Sequence, residues 1–324
     1  MQDWRDILAA SFRDAQSLLD YLQTPVESLL APDHPALKFP VLVPRPFADC
    51  IERGNPADPL LRQILPLSDE GISATGFITD PLGEKATNVQ PGLIHKYQGR
   101  VLMLAATACA VNCRYCFRRH FEYSDNRLSR KQRDEALDYV RNDASVTEVI
   151  LSGGDPLMLQ DDALAALIAS IDAIPHIRRI RIHTRLPVVI PQRVTTALTD
   201  ILARSRCDIC MVLHINHANE LTPMHESLIN LRNVGITLLN QSVLLKGVND
   251  DLSILSELSE RLFTFGVLPY YLHLPDRVEG TQHFTVSDAQ GSELITELRK
   301  ILPGYLVPKL VREVAGEPYK IPCQ

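Results

Sequence analysis

Val101-Leu102-Met103-Leu104-Ala105-Ala106-Thr107-Ala108-Cys109-Ala110-Val111-Asn112-Cys113-Arg114-Tyr115-Cys116 sets an apolar, strand-like run directly before three cysteines. The same texture repeats downstream. Short apolar or β-branched runs at 148–152, 179–183, 210–215, 236–241 and 267–272 alternate with amphipathic stretches at 130–142, 161–173, 192–204, 222–233 and 251–265. A last amphipathic stretch covers 287–302. Six strand–helix units predict an α/β fold with a parallel sheet and helices outside it. Right-handed crossovers curl such a series toward a barrel or an open, twisted sheet. The polar residues cluster where each run ends: the cysteines after the first, Ser152-Gly153-Gly154-Asp155 after the second, His183-Thr184-Arg185 after the third. His214-Ile215-Asn216-His217, Asn240-Gln241-Ser242 and His273-Leu274-Pro275-Asp276 follow the other three. That carboxyl rim is where parallel α/β folds build their sites.

Upstream the pattern changes. Ile7, Leu8, Phe12, Leu18, Leu19, Tyr21 and Leu22 recur at helical spacing, with Pro25 and Pro32 interrupting. A connector with Pro35, Pro40, Pro44 and Pro46 closes a helical extension over 1–48. Residues 49–99, rich in Gly and Pro, read as an irregular lead-in; 100–303 form the core and 304–324 a short C-terminal segment. The 324 residues are 22 % charged and 45 % hydrophobic, a composition that folds rather than staying disordered. A net charge of −6 argues against a nucleic-acid or anionic-membrane surface. The longest charge-free apolar stretch, 101–111, is too short to span a bilayer, and the charged opening predicts no signal peptide. A cytoplasmic enzyme is expected.

The chain has seven cysteines, an odd number that argues against a disulfide framework. Cys109, Cys113 and Cys116 place three thiolates on one loop. Thiolates are the ligands that iron–sulfur clusters require. Three of them leave one iron of a four-iron cluster open for a substrate or cofactor. A zinc site is the alternative, with His120 or the Cys207/Cys210 pair completing four ligands. Cys207 and Cys210 lie at the amino end of the expected sheet and read as core packing. Cys50 and Cys323 have no partner.

The spacing C-x3-C-x2-C followed by Phe117, after the first strand, resembles the signature of the radical S-adenosylmethionine (SAM) enzymes. The resemblance implies a partial (β/α)6 barrel and a [4Fe-4S] cluster on Cys109, Cys113 and Cys116. The open iron would chelate SAM, and one-electron reduction would cleave SAM to a 5′-deoxyadenosyl radical. Gly153-Gly154-Asp155 resembles that family's glycine motif, with glycines letting backbone approach the SAM amino group. Arg114–Arg119, the 185–193 stretch Arg-Leu-Pro-Val-Val-Ile-Pro-Gln-Arg and the 240–250 stretch Asn-Gln-Ser-Val-Leu-Leu-Lys-Gly-Val-Asn-Asp resemble the lysine 2,3-aminomutases, across most of 90–322. The stretches 109–121 and 307–313 resemble the bacterial branch of that family that supplies (R)-β-lysine to the ligase modifying elongation factor P.

The resemblance implies site residues. Lys320 matches the Schiff-base lysine for pyridoxal 5′-phosphate (PLP), although Glu317, Pro318 and Tyr319 stand where the family is glycine-rich. Arg100 matches a PLP phosphate ligand, and Lys96 and Tyr97 lie in the same stretch. Ser152, Gly153, Gly154, Asp155, His214 and Gln241 are expected around SAM, with His217 and Arg185 as weaker candidates. Arg118 matches the arginine that pairs the substrate carboxylate. Asp276 matches an acid that reads the substrate's ε-ammonium, and Glu313 stands where the family has a second, shorter acid. The implied partners are L-lysine, an external one-electron reductant and the lysyl ligase of the elongation factor P pathway. Asp251 stands where longer relatives have a metal-binding cysteine, and the chain stops four residues after Lys320, so no zinc and a monomer or dimer are expected. Two rivals remain: an aminomutase of another amino acid or of protein-bound lysine, and a non-catalytic iron–sulfur or zinc protein.

Overall fold

The computed structural model describes residues 2–27, 29, 39–84, 88–120 and 129–323. Pro32, Pro35 and the end of the 109–121 stretch lie outside them. Six parallel strands form the centre: β3 (Arg100–Ala106), β4 (Glu148–Gly153), β5 (Arg179–Thr184), β6 (Asp208–Leu213), β7 (Thr237–Val243) and β8 (Leu268–His273). Each matches a run expected from the sequence to within two residues. In register, Arg100, Glu148, Arg179 and Asp208 start their strands side by side, so the polar ends expected on one rim do share it.

The sheet is larger than the six runs. It begins with antiparallel β1 (Asn88–Gln90) and β2 (Leu93–Tyr97), and it ends with β9 (Lys309–Arg312), parallel to β8, and β10 (Ile321–Pro322), antiparallel to β9. Part of the lead-in read as irregular is thus strand. Gly92 and Gly99, both at positive φ, turn the chain at the ends of β2, so glycines that looked like loop punctuate a meander. The ten strands run in sequence order, a partial barrel whose two end strands do not pair with each other among the described residues.

Two N-terminal helices, α1 (Trp4–Ala9) and α2 (Ala15–Leu22), precede the sheet. Six long helices return the chain between and after the parallel strands: α3 (Arg130–Asn142), α4 (Asp161–Asp172), α5 (Thr196–Ala203), α6 (His225–Asn233), α7 (Leu252–Thr264) and α8 (Asp288–Ile301). Their starts are written in side chains. Ser129 and Gln132 form a reciprocal capping box, and Thr195 and Ser287 accept from backbone N–H groups in the first turns of their helices. Asp251, expected to mark a lost metal ligand, is the N-cap of α7 and accepts from Ser253 N at 2.8 Å. Trp4, Ile7, Leu18 and Leu22 share one buried core with Val101, Leu151 and Ile182, so the N-terminal helices pack on the barrel itself. A second core joins α7 and α8 to β8 and β9 through Leu255, Leu272, Ile295 and Leu310.

Candidate active site

A cavity of about 1000 Å³ runs through the partial barrel, lined from the strand starts at Arg100, Glu148 and Arg179 to the carboxyl ends of the strands, and by the C-terminal segment. Cys109, Cys113 and Cys116 all face it. Their loop is tied down by backbone: Asn112 N donates to Leu42 O at 3.2 Å, Arg114 N to Gln63 O at 2.8 Å and Cys116 N to Cys113 O at 3.0 Å. Burial pushes the Cys109 thiol well up and the Cys116 thiol to about 11. Such thiols stay protonated until a metal centre takes the proton's place. Among the described residues no group of three or more His, Cys, Asp or Glu is already gathered around a point that could hold a metal ion. His120 meets Glu279 O at 3.1 Å. Cys207 is buried in the core, as expected, but Cys210 lines the cavity, so the pair is divided between two environments.

The glycine motif also makes a close contact within the chain. A Cβ on Gly153 would lie 2.3 Å from Ala106 O, and one on Gly154 would lie 2.3 Å from Ala108 O. Gly154 N and Asp155 N donate to those same carbonyls, each at 2.8 Å. The missing side chains therefore let the end of β4 press against the backbone that leads into the cysteine loop. Asp155 is likewise engaged within the chain. Its buried carboxylate accepts from Thr184 Oγ1 (2.7 Å), Arg185 N (2.7 Å), Leu186 N (2.8 Å) and Leu157 N (3.0 Å), so it ties β4 to the end of β5. Burial pushes its pKa up against those hydrogen bonds.

The remaining residues expected around SAM face the cavity. Ser152 Oγ accepts from Arg118 Nη1 at 3.2 Å. His214 is held down to about 4 by burial, with Arg185, Lys320 and Arg118 adding to it, so it is a neutral ring at pH 7. The side-chain atoms Gln241 Oε1, His183 Nε2 and His273 Nε2 are buried in the cavity wall with no protein hydrogen bond. Buried polar atoms normally find a partner, and orphans lining a cavity suit a polar ligand. His217 points elsewhere: its ring accepts from Asn219 N at 3.2 Å and caps a short helix.

At the other end the C-terminal strands bring in the charged residues. Lys320 Nζ donates to Glu313 Oε2 at 2.6 Å, and Lys96 Nζ donates to Glu313 Oε1 at 3.1 Å. Burial alone would raise Glu313, but the Lys320 and Lys96 ammonium groups outweigh it and hold its pKa at about 2. Asp276 is the opposite case: burial and the neighbouring Glu313 push it to about 7. Arg100 lies over the Tyr97 ring, with Cζ 4.6 Å from the centroid. Burial and Glu313 push the Tyr97 phenol up. So Glu313, expected to read a substrate ammonium, is bound to two lysines of its own chain.

Sequence reasoning missed Glu84. It meets Arg118 in a two-point pair, Nε to Oε2 and Nη2 to Oε1, each at 2.7 Å, where the substrate carboxylate was expected. Glu70, which pairs the wholly buried Arg114 and also Arg119, was missed too. Both acids lie in the stretch without periodicity, so no pattern marks them. His183 and His273 carried a signal, their place at strand ends.

A profile of the radical SAM superfamily matches residues 103–255 of the chain. The chain is 50 % identical to the L-lysine 2,3-aminomutase of Escherichia coli over 99 % of its own length and 94 % of the relative's. It is 50 % identical to the L-lysine 2,3-aminomutase of Haemophilus influenzae over 98 % of its length and 95 % of the relative's. With that of Buchnera aphidicola it shares 48 % over 87 % and 84 %.

Proposed function

From the premise that this chain belongs to the L-lysine 2,3-aminomutase family of radical SAM isomerases, we propose that it converts L-lysine to (R)-β-lysine with PLP as a second cofactor, in the cytoplasm, for the modification of elongation factor P. The observation that carries the PLP and substrate reading is one cavity holding both the cysteine loop and a cluster of Lys320, Lys96, Arg100, Asp276 and Glu313. The elongation factor P branch is supported by the stretches 109–121 and 307–313.

When bound, the cluster and SAM supply a hydrogen-abstracting radical, and PLP holds the migrating amino nitrogen while its ring spreads the unpaired electron. The chain's own residues do the rest. Cys109, Cys113 and Cys116 would hold the cluster; Ser152, His214 and Gln241 line the same space as SAM contacts, with Gly153, Gly154 and Asp155 fixing the wall behind them. Glu313 orients the Lys320 amine, the group that would carry PLP, through a hydrogen bond of 2.6 Å. Arg100 and Lys96 would offer positive charge to the PLP phosphate, with Tyr97 packed against Arg100. Arg118 has the fork geometry for an α-carboxylate, and Glu84 already shows a carboxylate seated in it. Asp276 then faces the distal ammonium, and its buried site rewards a cation more than a surface carboxylate would. The neutral His183, His214 and His273 leave the middle of the cavity without further positive charge to repel that ammonium.

The test is direct. Protein purified without oxygen and supplied with iron, sulfide, PLP, SAM, a strong reductant and L-lysine is expected to form β-lysine, and Lys320→Ala is expected to form none. Deoxyadenosine without β-lysine would point to another amino acid or to protein-bound lysine as substrate.

A further inference from the structure

Arg185 was a marginal candidate for a SAM contact, but its surroundings give it a different task. Its guanidinium is buried at the end of β5, and Nη1 lies 2.8 Å from Cys113 Sγ and donates also to the Tyr115 hydroxyl. Nη2 donates to Gln63 Oε1 at 2.7 Å and to Glu220 Oε2 at 3.2 Å. Phe47 covers one face, with Cζ 5.4 Å from its ring centroid. The partners are held in turn. Gln63 Nε2 donates to Glu220 Oε1 at 3.1 Å, Asn216 Nδ2 donates to Tyr115 Oη at 2.7 Å, and Glu220 also accepts from Asn216 N and His217 N. Lead-in, cysteine loop, β5 and the loop after β6 thus converge on one cation fixed against one cysteine of the cluster loop.

We propose that Arg185 is a positioning residue that sets the reduction potential of the cluster through Cys113. Reduction adds one electron, and so one negative charge, to the cluster. A guanidinium always carries its positive charge, and a hydrogen bond from it to a ligating sulfur favours the more negative state. The low dielectric around it strengthens the effect. Glu220 opposes it, but its carboxylate is shared among Gln63, Asn216, His217 and Arg185, so its charge is drawn away from the cluster. Nη1 meets the sulfur while Glu220 takes the far nitrogen Nη2, so the guanidinium is the charge in contact with Cys113, and the cluster accepts its electron more readily than it would without Arg185. The proposal rests on the reading of Cys109, Cys113 and Cys116 as cluster ligands.

An EPR-monitored redox titration of the reconstituted enzyme tests it, with iron and sulfide counted for each protein. Arg185→Gln keeps a donor but loses the charge; Arg185→Lys keeps the charge but loses the fork. Arg185→Gln is expected to hold its cluster at a lower midpoint potential, with Arg185→Lys closer to the parent. Equal potentials in all three proteins would overturn the proposal. So would loss of iron from both folded variants, which would make Arg185 a mere brace for the loop. A parent protein that assembles no four-iron cluster would remove the underlying reading and the proposal together.

Discussion

Two carboxylates in one cavity titrate far apart, and the difference is a matter of partners. Glu313 has two ammonium groups in hydrogen-bond contact and is held at about 2. Asp276 has burial and the Glu313 charge against it and is pushed to about 7. A carboxylate that must read an ammonium has to be ionised to do so. In its proposed role Asp276 would therefore bind a cationic side chain well above pH 7 and progressively less below it. The KM for L-lysine is expected to rise as pH falls from 8 to 6, approaching about tenfold per unit on the acid side, while kcat changes less. Steady-state kinetics across that range check it. Asp276→Asn should show a high KM that no longer depends on pH in this window, and a parent KM flat from 8 to 6 would sink the assignment. The identity of Asp276 was legible in the sequence because it follows a strand end. Its protonation was not, because that depends on Glu313, which follows a different strand, β9.

At the scale of elements, the six parallel strands and their helices were readable because each is long enough to show its period. β1, β2, β9 and β10 were not, since they have two to five residues each and border on or contain Gly or Pro. These short strands matter, for they carry Lys96, Tyr97, Glu313 and the neighbourhood of Lys320 to the cavity. The glycine motif shows the same limit. Its sequence marks a close approach but not what approaches. In the structure the neighbour is the backbone of Ala106 and Ala108. Gly154→Ala would push β4 and the cysteine loop apart, because the new methyl meets backbone that cannot swing away. Overpacking of this kind costs about 1–3 kcal/mol, which in a chain of this length lowers the melting temperature by several degrees. Thermal melting and iron counting should show both a lower Tm and less iron retained. Gly304→Ala, whose Cβ meets nothing within 4 Å, is the control and should change neither. Unaltered iron in Gly154→Ala would mean that the loop does not depend on this contact.

The whole molecule stores a consequence that no single element shows. A parallel barrel is normally filled by its own side chains, yet this one encloses about 1000 Å³. Its walls carry orphaned ring nitrogens and an amide oxygen, and its charged groups are satisfied by one another: Arg118 by Glu84, and Lys320 and Lys96 by Glu313. Such an arrangement is stable enough to fold but gains when ligands replace the internal pairings. A ligand that binds only the folded chain adds about 2.7 kcal/mol at a hundredfold excess over its Kd. For a chain of this length that is roughly 4 °C in Tm. Adding PLP alone to the parent protein should raise its melting temperature by such an amount. In Lys320→Ala the rise over that variant's own baseline should be much smaller, since only the phosphate contacts of Arg100 and Lys96 remain. Inorganic phosphate, which shares those contacts but not the aldehyde, should shift both proteins slightly and equally. A parent whose melting is indifferent to PLP would reject the second cofactor while leaving the cysteine loop and its radical chemistry in place, because the two ends of the cavity rest on different residues.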